Sequence, residues 1–79
     1  SILGPSGDVS LEDAKADTRE VWIDGKWWDA IVYHRLDIPE GSIVPGPALL
    51  EQPDTTIFID PDLEGLVDRF GNLVISRKA

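Results

Sequence analysis

Cysteine and methionine are absent from the 79-residue chain, histidine occurs once, and seven Lys and Arg stand against 15 Asp and Glu. Each shortage excludes something. Without cysteine there is no disulfide, no thiolate nucleophile and no cysteine-based zinc site; the composition fits a cytoplasmic protein. A net charge of −8 repels phosphate backbones and anionic lipid, so nucleic acid and membrane partners are set aside. No apolar run approaches the roughly 18 residues of a membrane span, and no basic-then-apolar leader is present. Ser1 rather than methionine opens the sequence, and we read the chain as a piece of a longer polypeptide.

Chemistry-bearing constellations are equally sparse. A Ser-His-Asp arrangement would need a serine beside His34. The serines (Ser1, Ser6, Ser10, Ser42 and Ser76) fall mostly in expected loops or the tail, and no nucleophile-elbow motif occurs. His34 is read as a solvated strand-end residue. No glycine-rich phosphate loop exists. Asp54, Asp60, Asp62, Glu64 and Asp68 form an acidic run. Asp60-Pro61-Asp62-Leu63-Glu64 has alternating oxygens but lacks the glycine and closing acid of a calcium loop. It reads as a solvated turn with edge-protecting charge. Catalytic, cofactor-binding and metal-binding residues are expected to be absent.

What is present is a core. Hydrophobic residues make up 42% of the chain, enough for one small domain, although one that buries only about 60% of its extended surface. The stretch from Gly46 to Ile59 organises it. Ala48-Leu49-Leu50 and Thr55 to Ile59 read as two strands, set off by Gly46-Pro47, Gln52-Pro53-Asp54 and Asp60-Pro61-Asp62. Val21-Trp22-Ile23 and Lys26 to Tyr33 read as a hairpin around Asp24-Gly25, a pair suited to a type I′ turn with positive φ at both centres. Leu36 to Val44 reads as a loop with Leu36, Ile38, Ile43 and Val44 tucked inward and a turn at Pro39-Glu40-Gly41. Glu64 to Asp68 and Leu73 to Ser76 supply two more strands around Arg69-Phe70-Gly71-Asn72.

The expected fold is therefore all-β, a small barrel or sandwich of about six short strands. It spans residues 19–79, behind a flexible N-terminal linker or arm over residues 1–18. In that arm, Ser10 is placed to cap one helical turn through Ala16 by accepting from the Asp13 amide.

Trp22, Trp27, Trp28 and Tyr33 are dense for so short a segment. Alternation puts Trp28, Ala30 and Val32 on one face, and Trp27, Asp29, Ile31 and Tyr33 on the other. The small apolar neighbours of Trp28 predict a buried Trp28, and the mixed neighbours of Trp27 predict an amphipathic boundary. Such aromatics serve as core, as protein contact or as a ligand platform.

From Arg19 onward the chain resembles the C-terminal region of the hydantoinase A / 5-oxoprolinase family, whose relatives include the ATP-using subunits of acetone and acetophenone carboxylases. The resemblance rests on Val32-Tyr33-His34-Arg35-Leu36, Pro39-x-Gly41, Val44-Pro45-Gly46-Pro47-Ala48-Leu49-Leu50-Glu51, Asp54-Thr55-Thr56 and Asp68-Arg69-Phe70-Gly71-Asn72-Leu73-Val74. Their order and spacing carry it together. His34 stands where an acid is common, and Pro61-Asp62-Leu63 where Pro-Gly-aromatic is common.

The resemblance implies a parent enzyme that uses ATP, with a divalent cation, to activate a cyclic amide or a ketone in an upstream portion. It makes this segment an accessory, non-catalytic module that docks upstream domains of its own polypeptide, or a second subunit. The candidate interface residues are Trp27, Tyr33, Arg35, Asp54, Thr55 and Thr56. The alternative reading is a free-standing module that binds a sugar or peptide on its tryptophan-rich face.

Overall fold

The computed structural model describes residues 10–78. Among these, seven strands form two sheets: β1 (Lys15–Ile23), β2 (Lys26–His34), β3 (Ile43–Pro45), β4 (Ala48–Gln52), β5 (Thr55–Ile59), β6 (Leu63–Val67) and β7 (Leu73–Arg77). The larger sheet runs β1-β2-β4-β5 and the smaller β3-β6-β7. They face each other as a sandwich, and neither closes into a barrel. All neighbours are antiparallel except β2 and β4. That parallel pair is possible because the chain leaves the first sheet after β2, contributes β3 to the second, and returns.

The core follows from strand alternation. Ile31 and Tyr33 of β2 lie in register with Ala48 and Leu50 of β4, and these with Ile59 and Ile57 of β5. All six point to the interior, where Val44 of β3 and Val67 of β6 meet them from the opposite sheet. Tyr33, Val44, Ala48, Leu50 and Ile59 are each at most 1% exposed.

Gly46 makes the crossing between sheets possible. Its N–H donates to the Leu63 carbonyl at 2.9 Å, and its own carbonyl accepts from Lys78 Nζ at 2.8 Å. A Cβ there would collide with the Asp60 backbone carbonyl, so only glycine lets the two segments approach this closely.

Several expectations hold. Asp24 and Gly25 have φ of 50° and 79°, the type I′ hairpin their sequence asks for. Gly41 has positive φ in its turn, and Ile38 and Val44 are buried.

Others need correction. The described residues hold seven strands where about six were expected, because Ile43–Pro45 is a strand within the expected loop. A three-residue strand between Gly41 and Gly46 gives too short an alternation to recognise. Ile43 is consequently exposed, since it points opposite to Val44. Leu36 is exposed on the 3₁₀ turn Arg35–Asp37.

Regular structure is also present before residue 19. Leu11–Ala14 forms a 3₁₀ turn, Ala14 is fully buried in the main core, and β1 begins at Lys15. The three-residue spacing of Leu11 and Ala14 puts both on one face, which suffices to anchor the turn. Ser10 caps the turn as expected, its side chain facing the Asp13 N–H in a reciprocal capping box, but the turn ends at Ala14 rather than running through Ala16. The Asp13 carboxylate accepts from the Ser10 N–H at 3.1 Å, and the Asp13 N–H donates to the Ser10 carbonyl. The remainder of the expected arm, residues 1–9, lies outside the described residues.

Candidate interaction surface

β1 and β2 are nine residues each, roughly 30 Å of strand, whereas the others are three to five. The ladder from β2 to β4 covers only Ile31 to His34. The distal half of β2, Lys26 to Ala30, pairs with β1 alone. A two-stranded ribbon therefore extends beyond the four-stranded part of the sheet, with the Asp24-Gly25 turn at its tip.

The ribbon's two faces differ. On the face continuous with Ile31 and Tyr33, Trp22 lies directly opposite Trp27, and Glu20 directly opposite Asp29. The two indoles meet edge to face, with centroids 5.3 Å apart and planes at 72°. They are 59% and 61% exposed. This is the interior face of the sandwich, carried past the place where the second sheet covers it. Neither Glu20 nor Asp29 joins an ion pair among the described residues; the pairs there are Lys15–Glu12 and Arg19–Glu51.

On the other face, Trp28 is half-buried with the Lys26 ammonium 4.3 Å from its ring centroid. Ala30 and Val32 are covered, and Arg19 reaches across β2 to Glu51 at 3.8 Å. Trp28 also lines a groove of about 460 Å³ with Ile23, Asp24, Lys26, Asp60, Pro61 and Asp62.

The face assignment made from the sequence is thus half right. Trp27 is exposed and Trp28 is the more covered of the two. However, the central core takes the face of Ile31 and Tyr33, not that of Ala30 and Val32. Tyr33 is no boundary residue: at 1% exposure it packs with Leu50 and Ile38 in the core. Burial pushes its phenol above the ordinary value, with the nearby Lys15 ammonium opposing in part. The sequence misled because a tyrosine at a strand end reads as amphipathic, while the short β3, whose Val44 shares its core, carries little local signal.

The remaining candidates disperse. Arg35 donates from Nη2 to the Gly71 carbonyl at 2.7 Å and ties the 3₁₀ turn to the β6–β7 connection. Asp54, Thr55 and Thr56 are exposed at the start of β5 and its preceding turn, on the far edge of the large sheet from β1. They do not join Trp27 in one patch. Trp22 stood out only as one of the clustered aromatics and Asp29 only as a face-mate of Trp27; neither was an interface candidate, and Glu20 was not singled out. The signal was available, because fixing Asp24-Gly25 as a two-residue turn fixes Trp22 opposite Trp27.

His34 is exposed at the end of β2. Asp68 Oδ1 accepts from the N–H groups of Phe70 and Asn72, each at 2.9 Å, and so shapes the last turn. Among the described residues no three His, Asp or Glu side chains gather as metal ligands, and no helix is long and apolar enough to cross a membrane.

Comparison with known proteins adds the following. The sequence model of the hydantoinase/oxoprolinase C-terminal domain matches residues 5–76. An uncharacterized protein of Methanocaldococcus jannaschii is 39% identical over 59 residues, 75% of this chain and 9% of that protein. The acetone carboxylase beta subunit of Xanthobacter autotrophicus is 39% identical over 56 residues, 71% of this chain and 8% of the subunit. The 5-oxoprolinase of Saccharomyces cerevisiae is 34% identical over 50 residues, 63% of this chain and 4% of that enzyme. A nucleotide-free structure of acetone carboxylase, solved in work on ATP-dependent acetone carboxylation, superposes with a TM-score of 0.83. It is 28% identical, covering 90% of this chain and 10% of that one. The chain thus spans a tenth or less of each relative's length.

Proposed function

The chain belongs to the hydantoinase/oxoprolinase C-terminal domain family, and from that premise we propose that it is an accessory, non-catalytic module of a much longer cytoplasmic enzyme. In this reading it docks against upstream domains of its own polypeptide or against a second subunit. The enzyme uses ATP and a divalent cation, held in the upstream portion, to act on a cyclic amide or a related carbonyl compound. Similarity to 5-oxoprolinase and to a subunit of acetone carboxylase supports that substrate class.

The observation that carries the docking role is the ribbon. Two tryptophans about 60% exposed lie on an extension of the interior face, on a two-stranded element that is only marginally stable when uncovered. Exposed apolar surface of this kind is typical of contact sites, and tryptophan is prominent among residues that dominate binding energy. Docking is tested by co-purification with the polypeptide that precedes the chain in its reading frame. Trp27→Ala should weaken recovery at least tenfold, and undiminished recovery would remove Trp27 from the interface.

A sugar- or peptide-binding module is the second reading, favoured by the groove beside Trp28. The Lys26 ammonium already occupies that ring's face, leaving little for a sugar to stack on.

A further inference from the structure

The Glu20–Asp29 pair constrains what covers the tryptophans. The two residues are direct cross-strand partners on one face, where side-chain origins lie about 5 Å apart and like charges repel. They occupy the row next to Trp22–Trp27, between that pair and the Thr18–Ile31 row that leads into the core. Any partner laid over the indoles therefore also lies over both carboxylates. Taking two unpaired carboxylates out of water is prohibitive unless a cation comes with the partner.

We propose that this face receives an arginine side chain of a docking protein segment, its guanidinium seated between Glu20 and Asp29 and stacked against Trp22 or Trp27. The inference rests on the docking reading and specifies the partner's chemistry. Arginine suits the site better than lysine for two reasons. Its planar fork offers several N–H donors and can engage two carboxylates at once. Its flat face also stacks on indole, whereas ammonium is a compact, strongly hydrated point charge. The net charge of −8 draws a basic segment toward the chain from a distance.

The probe is a capped Ala-Arg-Ala peptide titrated into the chain, with its citrulline counterpart as the uncharged isostere. The readout is the indole N–H resonances of the three tryptophans. The arginine peptide should move Trp22 and Trp27 and leave Trp28 in place, and the citrulline peptide should bind far more weakly. Removing both charges with Glu20→Gln and Asp29→Asn should lower the arginine affinity about tenfold, roughly threefold for each exposed ion pair.

Equal binding of the citrulline peptide, undiminished affinity in the double variant, or shifts confined to Trp28 would each overturn the proposal. The same double variant in the co-purification assay separates this inference from its premise. If Trp27→Ala abolishes docking while the double variant docks normally, the guanidinium site is wrong and the docking surface stands. If neither affects docking, both fall.

Discussion

Gly25 shows how far single residues can be read in this chain. Its φ of 79° follows Asp24 at 50°, and open space surrounds the position of a missing Cβ. A substitution there is penalised by backbone strain alone. Gly25→Val should cost about 1–3 kcal/mol, a large share of a small domain's stability, and an unchanged melting temperature would contradict the turn type.

Tyr33 was harder to read, since its burial depends on strands distant in sequence. Its folded-state pKa lies above that of the unfolded chain, near 10, because desolvation disfavours the phenolate. The stabilisation from its neutral form is therefore fully present below pH 10. It is lost as pH rises through the folded-state value, because the unfolded chain releases the proton first. As the sole tyrosine, it can be followed by tyrosinate absorbance. That signal should appear above the free-tyrosine range and coincide with loss of structure. A titration at the ordinary value in a folded chain would contradict the burial.

At the scale of elements, legibility followed length and turn chemistry. β2, with nine alternating residues behind Asp24-Gly25, was plain. β3, with three residues between Gly41 and Gly46, was hidden, because its identity as a strand comes from pairing with β6 and not from its own composition. The connection after β3 is the most sensitive point. Gly46→Ala would press a methyl group against the Asp60 carbonyl. The two segments are also joined there by the Gly46–Leu63 and Lys78–Gly46 hydrogen bonds, so little relaxation is available. The expected loss is about 1–3 kcal/mol, the range for overpacking, measurable by urea denaturation; a neutral outcome would mean the crossing can open. The ribbon is the reverse case. Trp27→Ala removes a side chain that is 61% exposed, so the isolated chain should keep its melting temperature within a few degrees. Only the edge-to-face contact with Trp22, worth about 0.5–1.5 kcal/mol, is lost.

For the molecule as a whole, the all-β class was legible from strands punctuated by Gly, Pro and Asp. The choice between barrel and sandwich was not. It turns on β2 and β4 pairing in parallel while β3 leaves for the second sheet, a long-range arrangement with no local signature. The candidate surface was legible in part: the aromatics Trp22 and Trp27 stood out and Asp29 fell on the face of Trp27, while the pairing of Trp22 with Trp27 and of Glu20 with Asp29 emerges only with the strand register. The chain on its own should show no ATP-dependent turnover of hydantoin or 5-oxoproline. Activity in a pure sample would refute the accessory reading. Sustained binding of ATP by the isolated chain would do the same.

The departure of β3 to the second sheet also governs the order in which the chain can assemble during synthesis. Ile43–Pro45 leaves the ribosome early but finds its neighbour only when Glu64–Leu66 follows about 20 residues later. Until then the inner surface of Tyr33, Leu50 and Ile59 has no lid. A nascent chain halted after β5 would present that surface to chaperones and proteases, with the β1–β2 and β4–β5 hairpins able to form from local contacts but nothing to cover them. The last two strands therefore act as a checkpoint: protease resistance should appear in one step once β6 and β7 have cleared the exit tunnel, not gradually as each strand emerges.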